Sequence, residues 1–214
     1  MKLRRREIPV FIFNCIYLVI FGGISLVPPI NYEFVIYVAV IVVFFLLILF
    51  SQRKVEFPLF ILWGLTSWGF LHMAGGHISV GEGRLYDLVL IPIVTRGEDA
   101  ILRYDHVVHT IGFGMATIVC FHLIKGRLRS DKRGLVLASL VVLMGMGLGA
   151  LNEVIELIVV LVVPESGVGG YYNTTFDLLF NMIGAILAVL LLHVTGYLGS
   201  MTDDAAGDES ALGS

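Results

Sequence analysis

Residues 134–163 read GLVLASLVVLMGMGLGALNEVIELIVVLVV. At a rise of about 1.5 Å per residue, a helix of that length exceeds the roughly 30 Å hydrocarbon core of a bilayer. The stretch therefore predicts a membrane-spanning helix that tilts or lays its LIVVLVV end at the interface. Two carboxylates interrupt it, Glu153 and Glu156. An ionised carboxylate at mid-span costs about 2.5–3.5 kcal/mol on insertion scales, and residues three apart share one helix face. Both acids fall late in the helix, where the macrodipole opposes them. Such a pair points to a functional site; the plainer reading is a buried pair that histidines satisfy and that only fastens helices together.

The rest of the chain follows this segment's character. Of 214 residues, 57% are hydrophobic and 14% charged, with mean hydropathy +0.92. A soluble domain carries about 25% charged residues, so this chain is solvated mainly by lipid. Apolar blocks at 8–28, 33–50, 57–75, 104–124, 135–163 and 174–198 predict an all-α, polytopic integral membrane bundle of about six transmembrane helices. No linker and no internal repeat divides them, so 1–198 reads as one transmembrane domain. Residues 199–214, GSMTDDAAGDESALGS, are acidic and poor in apolar groups, and are expected to form a disordered cytoplasmic tail. The opening MKLRRRE resembles a secretory n-region, but its apolar part is long and no cleavage site follows, which favours a retained first helix.

The 14 basic residues set the expected orientation. Lys2, Arg4, Arg5, Arg6, Arg53, Lys54, Lys125, Arg127, Arg129, Lys132 and Arg133 fall on one side, and Arg84, Arg96 and Arg103 on the other. By the positive-inside rule both termini are cytoplasmic, in a multi-pass protein of the cell (plasma or inner) membrane.

With that orientation, polar residues gather in the outer half. Asp105, His106 and His109 lie in the first turns of the fourth block, Glu153 and Glu156 near the outer end of the fifth, and Asp177 and Asn181 in the first turns of the sixth. His72 and His77 close the third. The spacings Asp105/His109, Glu153/Glu156 and Asp177/Asn181 each put two groups on one face, as inward-pointing residues of a bundle require. So many acids and imidazoles must bind a cation, share protons or pair with one another. His109, Glu153, Glu156 and Asp177 are the candidate ligands of a divalent metal ion, with His72 a weaker one and Asp105 in support. As catalytic candidates the same reading gives Glu153, Glu156, Asp177, His109 and Asp105.

Plainer readings stand beside these. Asp105 and Asp177 lie near helix starts, where the dipole favours an acid. His77 and His72 read as interfacial beside Gly75 and Gly76, His106 as facing headgroups, and His122 and His193 as interfacial at the cytoplasmic ends. Gly145, Gly147 and Gly149, with Gly112, Gly114 and Gly184, fit close helix packing rather than a nucleotide loop. Cys15 and Cys120 read as packing residues. Asn173-Thr174-Thr175 forms a glycosylation sequon too close to the membrane to matter. The outer loop 76–103 holds LYDLVLIPIV, an interfacial or re-entrant segment suited to cap the polar pocket, although Pro92 works against a helix there.

Four stretches carry a resemblance: AGGHISV (74–80), YDHVVHTIGFG (104–114), NEVIEL (152–157) and YYNTTFDLLFNMIGAILA (171–188). Through them the chain resembles the YjdF-like family of bacterial and archaeal inner-membrane proteins, which carries a domain of unknown function. More distantly it is similar to VanZ-like proteins. The shared pattern there is an Asp-x-x-x-His helix (Asp105, His109), a Glu-bearing helix (Glu153) and an Asp-x-x-x-Asn-x-x-Gly helix (Asp177, Asn181, Gly184). The sequence departs from that pattern at Tyr171-Tyr172-Asn173, in place of tryptophan and a further acid, and at Thr110, in place of an aromatic. The resemblance implies fold and location, and no reaction.

Three functions fit these residues. The first is a site, metal-binding and acting on a lipid headgroup or cell-envelope precursor, with the bilayer as partner. The second is a proton-coupled transporter, which would need a polar path through the inner half. The third is an accessory membrane protein whose polar cluster serves packing alone. No nucleic-acid partner is expected, and the oligomeric state is left open by the sequence.

Overall fold

The computed structural model describes residues 3–92, 95–96, 99–100, 102–128, 134–163 and 169–197. The acidic tail therefore lies outside the described residues, as do Lys2, Arg129, Lys132 and Arg133. Among the described residues there are six long helices: α1 (Ile8–Ser25), α2 (Tyr32–Val55), α3 (Leu59–His77), α4 (Tyr104–Ile124), α5 (Leu135–Val162) and α6 (Tyr171–Val194). Five of them are long and apolar enough to cross a membrane; α3 is not among these. Its sequence, LFILWGLTSWGFLHMAGGH, exchanges hydrocarbon for Thr66, Ser67, Trp68 and His72.

The helix ends follow local chemistry rather than hydropathy. Asn31 caps α2, its side chain accepting from the Phe34 amide at 3.2 Å. At its other end α2 runs past its apolar block through Gln52, Arg53 and Lys54, whose charges suit a helix C-terminus, and stops at Glu56 in left-handed backbone (φ 52°). Pro58 then provides the extended N-cap of α3. The final helix, α6, starts at Tyr171 rather than 174, which brings Asn173 into its first turn.

Within lipid the hydrophobic effect does little to hold helices together, so close packing of small residues takes its place. The most extensive pairing is α4 on α6. There Gly114 and Gly184 bring the two backbones into contact. A Cβ at Gly184 would press on the Thr110 carbonyl group and lie 3.0 Å from the Gly114 nitrogen. On α5, Gly145 abuts Thr117 and Ala185, and Gly149 abuts Asn181. Gly147 does not share this role: a Cβ there would meet nothing within 4 Å, because it lies two residues from its neighbours in the motif and so on another face.

Two halves result. α1, α2 and α3 pack on one another, as do α4, α5 and α6, and α3 on α4 is the main joint. One apolar cluster, including Phe57, Ile61, Phe121 and Val141, fills the end where α1 begins. A second, with Phe34, Tyr37, Met73 and Val159, fills the opposite end. Large side chains on the outer faces, Val19, Leu135, Leu161 and Val194 among them, are more than 70% exposed, a surface that only lipid solvates without aggregation.

Among its described residues the loop between α3 and α4 holds no long helix, in keeping with Pro92. It forms two short antiparallel hairpins, β1 (Ser79–Val80) with β2 (Gly83–Arg84) and β3 (Thr95–Arg96) with β4 (Asp99–Ala100), separated by a 3₁₀ turn at Leu85–Asp87. Arg84 pins it to α2 through Glu33 (3.3 Å) and lies over the Phe34 ring.

Candidate intramembrane site

α4 supplies the centre. Asp105 and His109, one turn apart, face α6 just above the level where Gly114 meets Gly184. That glycine contact sets the interhelical distance, so side chains from α6 reach His109 directly. Asn181 Oδ1 lies 2.9 Å from His109 Nδ1. An amide oxygen only accepts, so Nδ1 carries a proton; Nε2 is then a ligand atom when the ring is neutral and a second donor when the ring is protonated. Nε2 points at two carboxylate oxygens, Asp105 Oδ1 at 3.6 Å and Asp177 Oδ1 at 3.7 Å.

Those distances suit either of two chemistries, an ion pair of carboxylate with a protonated ring or joint ligation of a cation by carboxylate and neutral imidazole. A direct N⁺–H···O⁻ bond spans about 2.7–2.9 Å, so neither carboxylate is bonded to the ring. Two ligand atoms at about 2.1 Å from a tetrahedral ion stand about 3.4 Å apart, close to what is seen. Asp177 is fully buried, and its Oδ1 has no hydrogen-bond partner. The other oxygen, Oδ2, accepts from Asn173 one turn earlier, which orients the carboxylate toward the histidine. A fully buried carboxylate oxygen without a hydrogen-bond partner needs a positive charge near it, which a bound cation or a protonated His109 ring would supply.

α5 brings the second set. Glu153 and Glu156 come close to His109, one ligand atom from each of the three lying within 4.8 Å of the others; Asp105, His109 and Asp177 form a second such group. Asn152 donates to Glu156 Oε1 at 2.7 Å, while both oxygens of Glu153 are buried without a hydrogen-bond partner. His109 is thus common to two ligand groups that together use the five residues expected from the sequence.

His72 is placed differently. It stands behind the rim, its Nδ1 2.6 Å from the Tyr86 hydroxyl, which also donates to the His72 carbonyl at 2.7 Å. The Tyr86 ring fits against Gly75, where a Cβ would lie 2.5 Å away, and the neighbouring Gly76 makes room for Phe34. Burial pushes the Tyr86 hydroxyl well above its ordinary range, and the carboxylates of Asp105 and Glu156 push it further, so it remains a hydrogen-bond donor. The loop thus packs on α3 through Tyr86, against His72 and Gly75.

Two histidines read as interfacial are interior. His106 is 2% exposed, stacks on Phe180 at 4.4 Å, and accepts from the Leu102 and Arg103 amides at the start of α4. His122 is buried between the Tyr197 hydroxyl (2.8 Å) and the Val55 carbonyl (3.1 Å). His77, partly buried, links Ser25 of α1 to Met73. His193 is exposed, as expected. Sequence reasoning passed over Asn152 and Tyr86, and read Asn173 only as part of a sequon and of a departure from the VanZ-like pattern. The two asparagines stand four residues before Glu156 and Asp177, a spacing that could have flagged them.

A protein family described as predicted membrane protein (DUF2238) matches residues 9–196. The chain belongs to this family. Its match runs from α1 through the last helix and so takes in every residue of the cluster, and the chain is a multi-pass membrane protein. No curated protein and no solved structure matches it. The VanZ-like pattern rests on the quoted residues alone.

Proposed function

We propose that the Asp105–His109–Asp177 and His109–Glu153–Glu156 groups hold a divalent cation and present it to the headgroup of a membrane lipid or envelope precursor. The observation that carries this is a fully buried and unbonded Asp177 oxygen 3.7 Å from His109 Nε2, on a ring that Asn181 holds through Nδ1. A carboxylate and imidazole set of that spacing suits zinc or a similar ion. An ion held there polarises a phosphoryl oxygen or a water molecule. Asn181 and Asn173 orient the ligands.

The topology belongs to the same proposal. α3 crosses the bilayer with the other five, both termini are cytoplasmic, and the single transmembrane domain places the cluster in the outer half of the cell membrane. The basic residues support that orientation. The proton-coupled alternative fares less well. Its path would have to continue toward the inner side, where the polar side chains Asn14, Tyr17 and Thr66 are bonded to one another.

Elemental analysis of purified protein after zinc loading tests the site, with Glu153→Gln and Asp177→Asn beside the wild type. Near-stoichiometric zinc in the wild type, lost from D177N and lowered in E153Q, is expected. A zinc-free wild type, with both variants as stable as it is, overturns the proposal.

A further inference from the structure

Directly beside the carboxylate cluster lies a cavity of about 190 Å³ between the two halves of the bundle. Its walls are residues 10–17 of α1, 41–48 of α2, 62–69 of α3, 112–119 of α4 and 148–155 of α5. Each stretch is two helical turns, so the cavity is about 10 Å tall along the helix axes. An apolar cavity of ~150 Å³ accommodates benzene, which sets the scale: this one takes a length of hydrocarbon and no more.

Three observations say what occupies it. The polar atoms on its wall are largely turned on one another: Asn14 donates to Thr66 Oγ1 at 2.6 Å and to the Val10 carbonyl at 2.9 Å, and accepts from Tyr17 at 2.7 Å. A water there would find few of the two to four partners it needs. The cavity also opens sideways. α2 and α5 meet where Val159 joins the Phe34–Tyr37 cluster, but they make no extensive contact lower down, and Phe44, Leu148 and Leu151 on the cavity's margin are 45%, 37% and 50% exposed. Finally, it adjoins the site. Asn152 lines the cavity and donates to Glu156, and Phe113, also on the wall, packs against His109 at 5.8 Å.

We infer that this crevice receives one hydrocarbon chain of the lipid whose headgroup the cluster engages, entering from the bilayer between α2 and α5. This rests on the headgroup reading above and narrows it to a ligand with at least one long alkyl or prenyl chain beside its polar group. Phe44 and Leu151 form the entrance, and Ala116 stands on the inner wall.

The test uses the full chain in nanodiscs of phosphatidylethanolamine and phosphatidylglycerol, doped with a phospholipid carrying a diazirine at mid-chain. After photolysis, adducts are mapped by mass spectrometry and zinc is measured in the same samples. Adducts are expected on Leu62 and Thr66 of α3 and Phe113 of α4, buried wall positions that surrounding bilayer lipid does not reach. Ala116→Phe, which fills the cavity from inside, and Leu148→Phe, a milder change at its half-exposed margin, should each reduce those adducts about tenfold, or ~1.4 kcal/mol of chain binding. Labelling of Val19 and Val194 on the outer faces should be unchanged. Adducts confined to the outer faces, or interior adducts that neither variant reduces, overturn the inference. Zinc uptake without interior adducts sinks the crevice alone; interior adducts in a wild type that takes up no zinc support the crevice and sink the metal site instead.

Discussion

Replacing Asn181 by leucine separates the site's chemistry from its stability, because the two respond in opposite ways. The side chain is fully buried, and leucine has the same branching. Losing Oδ1 leaves the Nδ1–H of His109 without an acceptor, at about 1–3 kcal/mol. Asn181 Nδ2, however, is itself buried without a partner, so removing it relieves a penalty of about the same 1–3 kcal/mol. The net change in stability is therefore near zero. Metal affinity has no such compensation. Loss of a residue that orients a ligating histidine costs roughly 10–100-fold, or about 1.4–2.7 kcal/mol. Asn181→Asp keeps an acceptor for Nδ1–H and should hold zinc nearly as the wild type does. Competition with a chromogenic chelator in detergent gives the affinities, and thermal unfolding of the same samples gives the stabilities. An N181L protein as stable as wild type and binding zinc equally well would refute the tautomer argument at its root.

Other outcomes follow from the packing. Gly145→Ala should lower thermal stability by about 1–3 kcal/mol, since its methyl meets Thr117 and lies 3.3 Å from Ala185, whereas Gly147→Ala should be neutral or stabilising by up to ~1 kcal/mol. Thermal melts in detergent that rank the two alike would contradict the assigned faces of α5. Tyr86→Phe removes both hydrogen bonds to His72, each worth about 1 kcal/mol, and should raise amide exchange across residues 72–77 and 85–90. Unchanged exchange would mean that the loop does not depend on this tyrosine. With Cys15 and Cys120 replaced by serine, a cysteine at Glu82 should react with a membrane-impermeant maleimide in intact cells, and one at Arg127 only after lysis. The reverse pattern would invert the proposed orientation.

Hydropathy located all six helices because each carries enough apolar length to show above the loops. It misjudged ends where polarity and helicity part company. α2 continues through Gln52, Arg53 and Lys54 because a helix may leave the membrane without unwinding, and α6 begins at Tyr171 although its first turn is polar. The cluster itself was readable, since a carboxylate in an apolar helix is costly and helical spacing shows which residues share a face. Its supporting residues were not. Asn152 and Asn173 cost far less to bury than an acid and so raise no alarm, and Tyr86 reaches His72 only through a loop whose path the sequence does not dictate. Gly147 was grouped with Gly145 and Gly149 by composition, where the helical period separates it from them. His106 and His122 sit near helix ends, and depth along a helix says nothing of which neighbour covers that end.

The glycine contact between α4 and α6 has a mechanical consequence. With backbone against backbone, that pair has almost no compliance, so Asp105, His109, Asp177 and Asn181 form a stiff anvil. The two glutamates ride on α5, most of whose surface faces lipid and which borders the crevice on its free side. On the proposed reading a cation would meet ligands from α4 and α6 already held in place by that contact, so binding would cost little ordering of those side chains.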